Sequence, residues 1–286
     1  MAAITVIEAN NGQGAYTRVV EAALKHGVAR APRGKMTRDL GYTVIEMRSP
    51  LNALALGCGR DVSQKIAVAE ATQIIGGFSA PHLLLKANPR FAEFMDDGSF
   101  HGAYGARIRT QAMSVCSKIK ADPSTRQAII TLWDPVLDNQ PHRHDYPCTV
   151  ALHFEVQPRD NRLGMNVFMR SNDVWLGLPY DLFQFAQLHM TIANSLGLDY
   201  GMYRHTALSM HLYETDVEAA EQIHPPTHFS WQPSGLGLRN QAMVDIMRRA
   251  RITSTVECDL MSDATASEVW FRERFDSYLK PSTVVG

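Results

Sequence analysis

The chain has 286 residues, of which 45% are hydrophobic and 20% are charged. This composition is typical of a globular protein, and it excludes the disordered, collagen-like and disulfide-scaffold classes. The 28 Lys and Arg residues balance 29 Asp and Glu residues, which leaves a net charge of −1. Because binding of duplex nucleic acid needs a broad basic surface, we expect no nucleic-acid partner.

The N-terminal sequence contains neither a basic segment followed by an apolar one nor an apolar run of the roughly 18 residues that a membrane span needs. We therefore expect a cytoplasmic protein with no membrane partner. The four cysteines form no CxxC pair, so neither a zinc site nor a disulfide framework is predicted. The polar cluster His142-Arg143-His144-Asp145 precedes Cys148, but an arginine stands among the possible ligands. A polar loop is favoured there over a metal site.

In the first half of the chain, hydrophobic periodicity predicts strands and helices in mixed order. A helix over residues 15–27 ends at Gly27, and a second helix from Val62 also ends in glycine, the residue that most often terminates helices. The other predicted elements are a strand at 3–9, a basic glycine-containing loop at 29–41, a strand at 42–47, short helices after Pro81 and Pro89, and a loop at 98–105.

In the second half, β-branched and aromatic content favours strands at 126–133, 148–156 and 163–170. Helices are predicted at 110–120, 178–196, 217–223 and 266–279, and an extended segment at 203–213. No repeat, low-complexity tract or linker-like composition divides the chain. One mixed α/β domain over residues 1–286 is therefore predicted.

Polar residues collect at the ends of two of these predicted strands. Cys148 follows Pro147 at the start of one strand, and the next strand ends in Arg170-Ser171-Asn172-Asp173. A lone cysteine is more often inert packing. Polar residues at a strand end, followed by a Gly- and Pro-containing turn, are however typical of a functional site.

Taken together, these segments resemble the thymidylate synthase family. The matching motifs, in order and at matching intervals, are Pro147-Cys148, then Arg170-Ser171-x-Asp173-x-x-Leu176-Gly177-x-Pro179, then His211-x-Tyr213. Upstream, Glu70, Tyr104 and the segment Asp122–Arg126 fall where the family has its catalytic glutamate, its tyrosine and its subunit-crossing arginine. The likeness extends from about Arg38 to Tyr213. It implies an α/β (α+β) single domain, with a mixed β-sheet and packed helices, and a homodimer formed through the sheets.

The chemistry of that family explains why these residue types are needed. Carbon 5 of a pyrimidine is a poor nucleophile, but a thiolate added to carbon 6 converts the ring into an enamine or enolate that attacks a one-carbon electrophile. Cys148 is the predicted nucleophile. Arg170 is expected to lower the pKa of the thiol and to bind the nucleotide phosphate. The resemblance assigns Arg38, Ser171 and Arg126 to the same phosphate, with Arg126 donated by the neighbouring subunit.

The remaining site residues are assigned partly by pattern and partly by resemblance. His211 and Tyr213 alternate onto one face of an extended segment, which suits hydrogen bonds to one sugar hydroxyl, by resemblance the 3′ one. Glu70 lies on an apolar helix, so desolvation should raise its pKa and suit it to proton transfer through water; a carboxylate at the solvent edge is the alternative. By resemblance, Tyr104 is catalytic, and Asp173 and Gly177 contact the pterin of 5,10-methylenetetrahydrofolate. No metal is expected.

Asp181 departs from the family pattern, which has asparagine at this position. An asparagine can donate to oxygen 4 of uracil and accept from its ring NH, whereas an ionised carboxylate only accepts. Cytosine presents an amine donor beside an acceptor nitrogen, so Asp181 favours cytosine, and a mismatch in a buried site costs roughly 1–3 kcal/mol. The same replacement occurs in the family's cytidylate hydroxymethylases, which the chain resembles more closely. An ordinary helix N-terminal aspartate is the alternative.

Other departures concern the phosphate and folate sites. Gln127 replaces the second arginine of the phosphate pair, which puts a four-arginine clamp in doubt unless Arg107 or Arg143 substitutes. Thr149 replaces the histidine that follows the cysteine. Residues 82–104 contain no tryptophan, although this region helps to cover the folate intermediate in synthases. Its loss is compatible with access of water to the reacting carbon.

The sequence therefore predicts a one-carbon transferase that hydroxymethylates carbon 5 of CMP or dCMP, with 5,10-methylenetetrahydrofolate as co-substrate and water as the final nucleophile. Two alternatives stay within the family: a divergent thymidylate synthase and a dUMP hydroxymethylase. A third is a non-catalytic homologue that binds nucleotide or RNA.

Overall fold

The computed structural model describes residues 4–224 apart from positions 49, 52, 80 and 142. Its strands are β1 (Thr5–Ala9), β2 (Val28–Arg30), β3 (Thr37–Asp39), β4 (Thr43–Met47), β5 (Ile129–Thr131), β6 (Thr149–Val156), β7 (Leu163–Met169), β8 (Asn172–Asp173), β9 (Tyr200–Ala207) and β10 (Met210–Tyr213). Its α-helices are α1 (Gly12–His26), α2 (Gln64–Gly76), α3 (Pro81–Ala87), α4 (Gly105–Ala121), α5 (Leu178–Leu196) and α6 (Val217–Ala220). Short 3₁₀ turns lie at Pro32–Gly34, Pro89–Phe94 and Glu214–Asp216.

The larger sheet has the strand order β1-β4-β9-β7-β6-β5. It is mixed, because β1 pairs with β4 and β7 with β9 in parallel, while the other neighbours are antiparallel. Side chains alternate between its two faces; in β4, Thr43, Ile45 and Met47 are buried while Val44 and Glu46 point the other way. The buried side chains face α1, α4 and α5, which cover one face of the sheet.

A smaller sheet of order β2-β3-β10-β8 stands beside the first. Its register sets Leu212 opposite Arg38, and places His211 between Asp39 and Asp173. This sheet therefore brings together residues that are far apart in the chain and that the sequence predicts for one site.

Helix α5 is the central helix, with most of its length buried. Pro179 lies in its first turn, where a missing backbone NH is tolerated, and Gly197 ends it with a left-handed φ of 69°. Helix α4 begins against the α2–α3 connection, and there a Cβ on Gly105 would lie 1.9 Å from the Phe78 carbonyl oxygen. Only glycine permits this approach.

The second face of the larger sheet carries a group of charged side chains and several exposed apolar ones. Arg204 pairs with Glu46 at 2.8 Å and with Glu155 at 3.2 Å. Exposed hydrophobic residues on the same sheet include Val6, Ile129 and Phe168. No helix among the described residues covers this face.

Several predicted elements differ from the structure; among them, the predicted strand 126–133 is observed only at Ile129–Thr131 and the predicted helix 217–223 only at Val217–Ala220. The predicted loop at 29–41 contains β3 and part of β2, which form because β3 pairs through its backbone with β10 and β2 pairs with β3. Helix α4 begins five residues before the predicted start at Thr110, because the close packing of Gly105 holds its first turn. The extended segment 203–213 divides at Leu208 into β9 and β10, which belong to different sheets.

The predicted helices 178–196 and 62–77 are confirmed closely, as α5 and as α2 with Ser63 as its N-cap. The predicted helix at 266–279 lies outside the described residues. Within the described ranges, no helix is both long and apolar enough to cross a membrane.

Candidate active site

Cys148 and Arg170 meet where β6 begins and β7 ends. The backbone NH of Arg170 donates to the Cys148 carbonyl at 2.8 Å, which aligns the two residues across the strand pair. The guanidinium Nη2 lies 3.8 Å from the Cys148 Sγ atom, and Nε donates to the Pro147 carbonyl at 3.0 Å. Trp133 stacks on the guanidinium at 5.6 Å, so this arginine is fixed on two sides.

The thiol is held in its neutral form in the substrate-free protein. Burial raises the pKa of Cys148 to about 11, although the Arg170 guanidinium acts in the opposite direction. The expected contact with an arginine is present, but the expected net lowering of the thiol pKa is not, because desolvation outweighs one guanidinium.

Glu70 projects from α2 with its Oε2 atom buried and without a hydrogen-bond partner in the described part of the chain. Desolvation raises the pKa of Glu70 to about 8, and the nearby carboxyl of Asp181 adds to the shift. This is the direction that the sequence predicts. A partly buried carboxyl with a free oxygen is suited to holding a water molecule and exchanging a proton with it.

Asp181 lies in the first turn of α5 and is only 7% exposed. Its Oδ2 accepts from Asn172 Nδ2 at 2.7 Å, and its Oδ1 accepts from Gln184 Nε2 at 2.7 Å. Burial raises the pKa of Asp181 to about 7 despite these donors. The neutral acid is therefore well populated near neutral pH, and it can donate one hydrogen bond and accept another.

Tyr104 interacts electrostatically with both this acid and the thiol. Its hydroxyl oxygen accepts from the Thr149 backbone NH at 3.3 Å, and its ring stacks on Phe185 with a centroid separation of 5.7 Å. Desolvation, then the neighbouring Cys148 and Asp181, raise the pKa of Tyr104 well above its usual value, so it acts as a neutral hydrogen-bonding group.

The smaller sheet supplies a second group of predicted residues. The rings of His211 and Tyr213 are perpendicular at 5.2 Å on one face of β10, and the Ser171 hydroxyl lies 3.5 Å from His211 Nδ1. Arg38 on β3 pairs with Glu214 at 2.9 Å, at the end of the same sheet. Ser171 directly follows Arg170, whereas Arg38 is bound by Glu214, and no hydrogen bond or ion pair among the described residues joins Arg38 to Cys148 or Arg170.

Asp173 and Gly177 define the turn that leads into α5. Asp173 accepts from the backbone NH groups of Trp175 and Leu176 through Oδ1, at 2.7 and 3.0 Å. Its Oδ2 makes no hydrogen bond within the described part of the chain and is available to an N–H donor such as those of a pterin ring. The predicted folate contact therefore has a fitting acceptor.

Arg126 is not brought to this group. It is exposed in the loop between α4 and β5, and no hydrogen bond or ion pair among the described residues joins it to Cys148 or Arg170. Arg107, a possible substitute for the arginine missing at Gln127, is bound in two places to Asp138, at 2.5 and 2.9 Å. Its guanidinium is committed to that buried carboxylate.

Asn172, Gln184 and His205 were not predicted as site residues, yet they contact or support Asp181. Asn172 lies within the recognised Arg-Ser-x-Asp motif, and its burial beside a strand end is the one signal that the sequence offers. Gln184 is one helical turn from Asp181, a spacing at which side chains meet.

The described residues contain no group of three His, Cys, Asp or Glu side chains arranged to hold a metal ion. Within the polar cluster at 142–145, Asp145 instead accepts from the Gly102 backbone NH at 2.8 Å. Position 142 lies outside the described residues.

Comparison with known proteins identifies the family that this fold and site define. A family model described as "Thymidylate synthase" matches residues 14–241, and the chain belongs to that family. The chain is 33% identical over 222 residues to the deoxyuridylate hydroxymethyltransferase of Bacillus phage SP01, a match that covers 71% of this chain and 57% of the relative.

Two further relatives are more distant. The deoxyuridylate hydroxymethyltransferase of Pseudomonas phage M6 is 29% identical over 179 residues, 60% of this chain and 50% of the relative. The thymidylate synthase of Oenococcus oeni is 28% identical over 153 residues, 48% and 47% of the two lengths. The chain thus spans about half the length of these relatives. The predicted family and fold are confirmed, whereas the named hydroxymethyltransferases are deoxyuridylate enzymes and not cytidylate ones.

Proposed function

We propose that the protein transfers a hydroxymethyl group to carbon 5 of a pyrimidine nucleoside monophosphate, with CMP or dCMP as the substrate. The observation that carries the proposal is Asp181, a buried acid that interacts electrostatically with both the Cys148 thiol and the Glu70 carboxyl. Asp181 thus interacts with both the proposed nucleophile, Cys148, and a second proposed proton-transfer group, Glu70. This arrangement suits covalent activation of a ring followed by addition of water.

In this mechanism, the Cys148 sulfur forms a bond to carbon 6 and the ring electrons move toward carbon 5. Asp181 assists by donating a hydrogen bond to ring nitrogen 3, which draws electrons from carbon 6. 5,10-Methylenetetrahydrofolate supplies the one-carbon unit when it is bound, with Asp173 Oδ2 as an acceptor for its pterin. Once carbon 5 has bonded to the one-carbon unit, carbon 5 loses its proton and tetrahydrofolate departs with the electrons of the carbon–nitrogen bond, which would leave an exocyclic methylene. Glu70 then accepts a proton from a water molecule whose oxygen bonds to that carbon. Cleavage of the sulfur–carbon 6 bond then restores the aromatic ring.

Cytosine is favoured because nitrogen 3 of cytosine is far more basic than oxygen 4 of uracil. A proton on Asp181 can therefore be shared with cytosine, while the second carboxyl oxygen accepts from the exocyclic amine. The second candidate is hydroxymethylation of dUMP. It is supported by the two phage relatives, and a neutral Asp181 can also donate to oxygen 4 and accept from the ring NH.

For the phosphate we propose Arg170, Ser171 and Arg38 from one subunit and Arg126 from its partner. Contact between subunits would use the uncovered face of the larger sheet, which carries Arg204 with its carboxylate partners and several exposed apolar side chains. The exposed position of Arg126, unconnected to its own chain's thiol, is compatible with donation to a second site.

The shared site predicts complementation between two inactive variants. Arg126→Ala and Cys148→Ala should each be inactive alone, whereas co-expression should restore about one quarter of wild-type activity, because half of the randomly mixed dimers have one intact site. Activity is measured on the whole co-expressed dimer population, with separately expressed and merely combined dimers as controls. Continued inactivity of the mixed dimer, despite its formation, would count against donation of Arg126 across the interface.

The proposed reaction is tested by incubating the protein with CMP, dCMP or dUMP and 5,10-methylenetetrahydrofolate in oxygen-18 water. We expect a hydroxymethylated cytosine product that carries the heavy isotope, detected by mass spectrometry. Labelled hydroxymethyl-dUMP alone would support the second candidate. An unlabelled methyl product, or no product from any of the nucleotides, would refute hydroxymethyl transfer.

A further inference from the structure

A buried row of hydrogen bonds leads from the larger sheet to Asp181. The Tyr203 hydroxyl lies 3.1 Å from His205 Nδ1, His205 Nε2 lies 2.9 Å from Asn172 Oδ1, and Asn172 Nδ2 lies 2.7 Å from Asp181 Oδ2. Tyr203 and His205 are completely buried, and Asn172 is 2% exposed. The row connects three separate elements, β9, β8 and α5, and it ends on the acid that faces the base in the proposed function.

Each hydrogen-bond donor in this row points toward Asp181. Burial lowers the pKa of His205 to about 3, so the ring is neutral and carries one N–H. With the Tyr203 O–H donated to Nδ1, the ring proton lies on Nε2 and is donated to Asn172 Oδ1. The Asn172 amide is thereby oriented with its NH₂ group toward Asp181, which receives a hydrogen bond and does not have to supply one.

The reverse order of donors would have a different chemical result. If the Asn172 amide were flipped, its oxygen would face Asp181 and take the acid proton. That proton would then be withdrawn from the pyrimidine, and Asp181 would offer the base only an acceptor. The orientation of one buried amide thus decides what Asp181 presents to the base.

The backbone at Gly177 preserves this contact. A Cβ at Gly177 would lie 3.1 Å from both Asn172 Nδ2 and Asp181 Oδ2, closer than ordinary packing allows. Gln184 holds the other carboxyl oxygen from the next turn of α5. The carboxyl is therefore held at both oxygens, and the described residues supply no further hydrogen-bond partner to it.

We propose that Asn172, oriented by His205 and Tyr203, is a positioning residue that keeps the Asp181 proton directed at the pyrimidine and so sets the choice between cytosine and uracil. This inference rests on the proposed function, in which Asp181 contacts the base. It assigns base selection to a row of four residues instead of to Asp181 alone.

Other titratable groups also surround Asp181 and must be considered in any test that varies pH. They are Glu70 on α2, Tyr104 at the start of α4, Cys148 before β6, Asp173 on β8, and His205 and Tyr203 on β9. Of these, Glu70 has a raised pKa close to that of Asp181, so its titration is separated by repeating each measurement in a Glu70→Gln background.

The test compares the equilibrium Kd for dCMP and dUMP, measured by calorimetry over a pH series without folate. Tyr203→Phe removes the hydroxyl that fixes the His205 tautomer, and it should reduce the ratio of the two Kd values several-fold. Asn172→Asp replaces the amide donor by a second acid, and it should reduce the ratio about 10- to 100-fold. It should also move the pH at which base preference changes upward, because the hydrogen bond that stabilises ionised Asp181 is lost.

Tyr200→Phe is the matched control, since it removes from the same strand a hydroxyl that bonds Asn194 at 2.9 Å, outside the row. It should leave the Kd ratio and the pH midpoint unchanged. The inference is overturned if folded Tyr203→Phe and Asn172→Asp proteins discriminate the bases as the wild type does, or if the wild type does not discriminate. Failure of the proposed function is distinguished by the isotope assay, in which the wild type would give no hydroxymethyl product.

Discussion

Replacement of Cys148 by alanine is expected to reduce turnover by at least roughly 10³-fold while nucleotide binding is retained, because the covalent bond to carbon 6 activates carbon 5. The same variant should lose exchange of the carbon 5 hydrogen with deuterated water, since exchange needs the ring adduct. Mass spectrometry of the recovered nucleotide measures this exchange without folate and therefore isolates the first chemical step.

Cys116→Ala provides the control for general loss of a cysteine, because Cys116 is a partly exposed thiol on α4 that is not placed in the candidate site. Its turnover and hydrogen exchange should match the wild type. Exchange that continues in Cys148→Ala would mean that another group attacks the ring. Exchange in the wild type should increase with pH, because burial raises the pKa of the Cys148 thiol to about 11 and the thiolate is scarce at neutral pH.

The substrate-free site thus disfavours the charged forms of its candidate reactive groups. Cys148, Asp181 and Glu70 all have pKa values raised by burial, and a single guanidinium, that of Arg170, contacts the thiol. A bound nucleotide adds a phosphate charge and a ring nitrogen beside these groups, and it therefore changes their pKa values. Reactivity is therefore expected to depend on the bound base, which connects base selection to the chemical step.

Helices and strands were predicted correctly where the local pattern of apolar and helix-ending residues matches the way the element is buried. Helix α5 was placed at its observed bounds because Pro179 and Gly197 mark its ends and apolar residues occupy nearly every turn between them. Strands β2 and β3 were missed because each is only three residues long and lies in a glycine-containing segment, and they become strands through backbone pairing of β3 with β10 and of β2 with β3. Pairing between distant segments leaves little trace in local composition.

In the candidate site, too, features carried by local motifs were predicted, whereas features that depend on contacts between distant segments were not. Cys148 and Arg170 were predicted together because they lie in recognisable motifs, and they are in contact in the structure. The raised pKa of the thiol was not predicted, because the amount of desolvation depends on every element that surrounds the sulfur atom. Asn172 and His205 were missed as partners because they are 33 residues apart and meet only after the two sheets have formed.

Glu70→Gln is expected to reduce hydroxymethyl transfer by about 10²- to 10⁴-fold, the usual contribution of a positioned general base. The glutamine keeps the shape of the side chain but cannot accept a proton from the attacking water. The product of single turnover is followed by mass spectrometry with saturating nucleotide. Thr72→Val, on the same helix, removes a buried hydroxyl that has no partner in the described chain, and it should retain activity.

The pH dependence makes this second prediction more specific. Glu70 accepts a proton only when ionised, and burial raises its pKa to about 8, so the wild-type rate of water addition should increase as pH passes through that value. Glu70→Gln should lack this rise.

The free energy of unfolding should change with pH in the opposite direction to the rate. Because the pKa of Glu70 is higher in the folded protein than in the unfolded chain, the protein loses stability as pH increases from the pKa of the unfolded chain to about 8. Denaturant unfolding should therefore find Glu70→Gln more stable than the wild type at pH 8 but not at pH 4, and equal stability at both would contradict the burial of Glu70.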